Sequence, residues 1–80
     1  HDEIAAAMRA MVAARGVGKT ICPSEVARAV APAEWRALME EVRAVARGLA
    51  RAGEVVVTQQ GVVLDPAEEW RGAVRVGLVG

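Results

Sequence analysis

Residues 32–53 constrain this chain more than any other stretch. Trp35, Leu38, Met39, Val42, Val45, Ala46 and Leu49 recur at three- and four-residue intervals, the spacing of one helix face. Arg36, Arg43, Arg47 and Arg51 gather on another face, with Glu40 among them. The pattern runs for about five turns, so its apolar stripe needs other elements to cover it. Pro32 suits a helix start and Gly53 a helix stop. Gly48 within the helix costs up to about 1 kcal/mol relative to Ala and leaves room for close approach of a hairpin or a second chain.

The flanking segments supply the cover. Ile4, Met8, Met11 and Val12 are spaced for a first helix over residues 3–15, with Asp2 able to cap it and Gly16 to stop it. Thr20, Ile21 and Cys22 form a very short strand. Pro23 then opens a two-turn helix over 23–30 at the position where its missing N–H costs nothing. That places Cys22 at the cap and lets Glu25 reach back to the Cys22 amide. Ala31 and Pro32 turn the chain sharply into the central helix, a helix-turn-helix. Residues 54–58 and 62–64 are β-branched runs either side of Gln59-Gln60-Gly61, a hairpin turn. Residues 74–79 alternate as a half-buried strand. The pattern leaves open which of these two runs is the main partner of 54–58. Residues 66–72 form a loop or one helical turn, which Trp70 is expected to pin to the domain, the alternative being an exposed contact residue. The predicted fold is α+β, a single winged-helix domain over residues 1–80: three helices, then a small antiparallel sheet forming the wing. Met8, Val12, Ile21, Val26, Leu38, Val42, Val45, Leu49 and Val57 are the expected core.

Composition limits the chemistry. Eighty residues make one domain. The ten basic and ten acidic residues cancel, which disfavours a protein that coats nucleic acid by charge alone. The charge is uneven, however: 1–53 carries eight of the ten basic groups and 54–70 none. One Cys and one His exclude an internal disulfide or a zinc site built from this chain. No paired carboxylates or nucleophile–base set points to catalysis, so neither an enzyme nor a cofactor is expected. His1 carries no role. The absence of a long apolar run predicts no membrane span, and a cytoplasmic location follows as the default expectation.

Two local motifs invite sharper readings. Gly-Val-Gly-Lys-Thr at 16–20 ends like a phosphate loop. That motif needs an earlier glycine where Ala13 stands, and a strand before the loop rather than a helix, so nucleotide binding is rejected. A thiol at a helix N-terminus, as at Cys22, can be reactive. With no second Cys and no basic neighbour in sequence, an inert cap is expected.

With these elements in place, the sequence resembles a family of short bacterial proteins of unknown function with a winged-helix fold. The residues that carry the likeness are 21–28 (Ile-Cys-Pro-Ser-Glu-Val-Ala-Arg), Trp35-Arg36, Leu38-Met39, Val42-Arg43, Gly53, 57–61 (Val-Thr-Gln-Gln-Gly) and Asp65-Pro66. The resemblance spans about residues 4–78. It implies the fold and brings no reaction or ligand with it.

Two functions compete. In the first, the protein is a small DNA-binding regulator whose central helix enters the major groove while the wing meets the backbone. Arg28, Arg36, Arg43 and Arg47 would contact groove or phosphate. Ser24 would meet a phosphate near a helix N-terminus, and Gln59 and Gln60 would reach out from the wing tip. In the second, the fold is an interaction module for another protein or a second copy. The Arg stripe is then a solvated face with Arg36–Glu40 and Glu40–Arg43 pairs, each contributing about 0.2–0.5 kcal/mol.

Overall fold

The computed structural model describes residues 2–79. Three helices precede three of the four strands: α1 Asp2–Arg15, β1 Thr20–Ile21, α2 Pro23–Val30, α3 Trp35–Arg51, β2 Val55–Gln59, β3 Val62–Val63 and β4 Arg75–Leu78. The strands form one antiparallel sheet in the order β1-β4-β2-β3. The three helices pack on each other, and α1 and α3 also meet the sheet.

The turn into α3 differs from the sequence expectation. The helix begins at Trp35, whereas the pattern placed its start at Pro32. Ala31 has φ −140° and ψ 77°, because a residue before proline is pushed out of the helical region. Residues 32–34 form a turn, closed by the Glu34 amide on the Ala31 carbonyl at 3.1 Å. At the other end, Gly53 stops α3 with φ +77°. The Glu54 amide donates to the Leu49 carbonyl (2.9 Å) and the Gly53 amide to the Ala50 carbonyl (3.1 Å). This paired closure needs a left-handed residue, which glycine adopts without a Cβ penalty.

α2 begins as its residues require. Pro23 is the first helical residue and Cys22 the cap. The Glu25 carboxylate accepts the Cys22 amide at 2.7 Å. The β2–β3 hairpin turns at Gln60 (φ +51°) and Gly61 (φ +82°). Two consecutive left-handed residues match the twist of a two-residue hairpin.

The sheet resolves the pairing that the sequence left open. β4 lies between β1 and β2, with Val57 opposite Val76 and Thr58 opposite Arg75. Burial explains the choice. Val74, Val76, Val55 and Val57 are all buried, while Val62 and Val63 on β3 are each 64 % exposed. β3 therefore only extends the edge at the hairpin.

Eight of the nine expected core residues are buried; Leu38 is half-buried at the rim of the core. Ile4, Ala27, Ala46, Val55, Trp70, Val74 and Val76 complete it. The glycine-rich segment 16–19 follows a helix and leads into a strand. That order is opposite to a phosphate loop.

Candidate functional site

Among the seven residues expected to meet DNA, Arg43 and Arg47 are turned onto the protein itself. They sit one turn apart on α3, and the loop 65–72 runs past them. Arg43 donates to the Trp70 carbonyl (2.9 Å) and the Gly72 carbonyl (3.0 Å). Arg47 donates to the carbonyls of Pro66 and Glu68. Its guanidinium carbon lies 4.2 Å from the centroid of the Trp70 ring. The reason is local. Residues 65–72 lack regular structure, so their carbonyls have no ladder partner, and a forked cation can satisfy two at once.

Trp70 locks the same loop from within, as its sequence position suggested. It is 7 % exposed, and its indole N–H donates to the Asp65 carbonyl at 3.0 Å. The Asp65 carboxylate accepts the Ala67 amide at 2.8 Å, the usual Asx turn. Gln59 closes the far end by donating from its amide nitrogen to the Arg71 and Ala73 carbonyls. Three of the seven expected contacts thus hold the loop. The sequence offered one signal of this, an Arg pair at i and i+4 beside a segment whose only large apolar group is a tryptophan.

The other four sit apart from that clamp. Ser24 donates its hydroxyl to the Cys22 sulfur at 3.1 Å. Cys22 is a free, half-buried thiol in this cap. Gln60 is exposed at the hairpin tip. Arg28 on α2 and Arg36 on α3 come together over one ring, that of Trp35, which the sequence places on the apolar face of the central helix. Their guanidinium carbons lie 4.3 and 4.5 Å from the Trp35 ring centroid. Stacking of this kind contributes about 0.5–1 kcal/mol at exposed sites.

The outward face of α3 then carries small residues with one charge of each sign. Ala37, Glu40, Ala44, Gly48 and, in the last turn, Arg51 are exposed along it. A shallow groove lies between α3 and the loop, lined by Glu40, Arg43, Ala44, Arg47, Glu69 and Trp70. Neither expected pair, Arg36–Glu40 nor Glu40–Arg43, forms among the described residues. The ion pairs lie elsewhere, at Arg9–Glu54 (2.8 Å), Arg15–Glu25 (2.8 Å) and Arg71–Glu69 (3.9 Å). The Cys22 amide, and then Arg15, hold the Glu25 carboxyl below its ordinary range. Arg9 does the same to Glu54.

Arg75 reaches across the sheet, donating to the Thr20 hydroxyl (2.7 Å) and the Thr20 carbonyl (3.1 Å). No helix among the described residues is long and apolar enough to cross a membrane.

Helices, sheet and clamped loop together define a small α+β domain. Residues 1–79 match the family model described as a protein of unknown function, DUF3253, and the chain belongs to that family. No curated protein matches it.

Proposed function

We propose that the protein is a winged-helix interaction module that docks on another protein rather than on duplex DNA. Helices α2 and α3 and their short turn serve as the helix-turn-helix, and the β2–β3 hairpin serves as the wing. One observation carries the choice between partners. Arg43 and Arg47, the centre of the basic stripe, donate to loop carbonyls, and the helix face left to solvent presents Ala37, Glu40, Ala44 and Gly48, with Arg51 only in its last turn. Duplex DNA carries about one negative charge per 1.7 Å of its axis. Glu40 in the first half of an entering helix would repel it, while small residues suit close approach of a protein surface. The proposal extends to a bacterial, cytoplasmic protein that acts by binding and without catalysis.

An electrophoretic mobility shift with mixed-sequence duplex DNA at low salt tests this reading. No shift is expected. A shift whose log-affinity falls against log-salt with a slope of magnitude about 2 or more, at roughly 0.9 per phosphate contact, would restore the DNA-binding regulator instead.

A further inference from the structure

Arginines in this domain are mostly engaged. Arg9, Arg15, Arg43, Arg47 and Arg75 each donate to a carboxylate, hydroxyl or carbonyl oxygen. Arg28 and Arg36 differ from these, and from the exposed Arg51, in sharing one aromatic ring. Both are exposed, and among the described residues neither donates a hydrogen bond or joins an ion pair. Each instead stacks on Trp35, at 4.3 and 4.5 Å from the ring centroid. Two like charges are therefore fixed within one Debye length of each other, about 10 Å at moderate salt. Their N–H forks, five donors each, face water. The ring lowers the conformational freedom that the two side chains would otherwise lose on binding.

We propose that Arg28, Trp35 and Arg36 form a clamp for the carboxylates of an acidic peptide segment on the partner protein, a proposal that rests on the interaction-module reading above. Carboxylates that meet the two guanidiniums beside the ring relieve their mutual repulsion, each accepting from one fork. A carboxylate matches the guanidinium fork in two-point geometry. The surroundings select a short acidic segment over a nucleic acid backbone. Glu34 precedes Trp35, and Glu40 lies one turn beyond Arg36; both are exposed. A continuous polyanion laid across the clamp would run against them. A segment with one or two carboxylates need not.

The test is a titration of isotopically labelled protein followed by NMR. The Trp35 indole N–H signal reports the clamp, and the buried Trp70 indole N–H serves as the internal control for folding. The probes are a synthetic peptide of Glu and Ala, its Lys and Ala counterpart, and a mixed-sequence DNA duplex. The expected result is a saturable shift of the Trp35 signal with the Glu peptide only, weakened about tenfold or more in Arg28→Gln/Arg36→Gln. An unmoved Trp70 signal shows that this variant keeps its fold. Arg28→Lys/Arg36→Lys keeps the charges without the forks and is expected to bind in between. If no probe moves the Trp35 signal, or if the Glu peptide moves it equally in the Gln variant, the clamp is overturned, while the interaction-module reading keeps its own mobility-shift test. A Trp35 shift with the duplex would overturn both.

Discussion

Arg47 shows how a residue's type can be legible while its role is not. A helical repeat of arginines reads as a cationic face, and the sequence alone sets the Arg47 side chain outside the core, with an effect on stability within about 0.5 kcal/mol. What it cannot display is an irregular loop, distant in sequence, whose carbonyls lack partners. Arg47 answers two of those carbonyls and stacks on Trp70. The expected cost of Arg47→Ala therefore rises to about 1 kcal/mol, the usual net value of a hydrogen bond discounted for partial exposure. Arg47→Lys should recover little of it, because an ammonium has neither the fork nor the flat face. Urea unfolding of the three proteins checks this, with the native tryptophan emission as a second readout. If Arg47→Lys matches the wild type, the fork is irrelevant and simple charge suffices.

The elements were more legible than the contacts between them. Helix α2 followed from Cys-Pro-Ser-Glu because capping is local chemistry, settled within four residues. α3 was clear from its period, but its first turn was not, since the residue before Pro32 had to leave the helical region. Strand pairing was illegible for a further reason: 62–64 and 74–79 carry similar β-branched patterns, and only burial against the helices separates them. The α2 cap also makes a pH-dependent claim. Glu25 accepts the Cys22 amide and pairs with Arg15, and both hold its carboxyl below the ordinary range. A carboxyl lowered in the folded state stabilises fully above its unfolded value, about 4.3. That contribution disappears as pH falls through the lower folded value. Glu25→Gln should thus be less stable than wild type at pH 7 by about 0.5–1 kcal/mol, and the gap should close between pH 4 and the acid limit of folding. An unchanged gap across that range, by denaturant titration at several pH values, would show that the carboxylate's charge has no part in the cap.

Across the whole molecule, the interior is built mainly from Val, with two Ala, two Ile, Met8 and Leu49, and among the described residues the only aromatic group buried in it is Trp70. A domain of this size has a total stability of roughly 4–12 kcal/mol at about 0.05–0.15 kcal/mol per residue. Small side chains offer little slack for repacking, so deletion of the buried indole leaves a void that its neighbours do not fill. Trp70→Ala should cost about 3–5 kcal/mol. It also frees the donors of Arg43 and Arg47, because the loop that accepts them loses its anchor. The variant should therefore populate unfolded protein at room temperature, or show a midpoint lowered by well over 10 °C, at about 4–8 °C per kcal/mol for a domain this small. Leu38→Ala supplies the contrast. Its helical position marks it as core, for a cost of about 2–5 kcal/mol, but the side chain is half-buried at the rim. Its loss should come to about 1 kcal/mol, near the centre of ordinary point mutations. Calorimetric melting of both variants ranks the two sites. Were Leu38→Ala to prove as damaging as Trp70→Ala, the helical face of α3 would dominate the stability of the fold, and the clamped loop would be an appendage rather than part of the core.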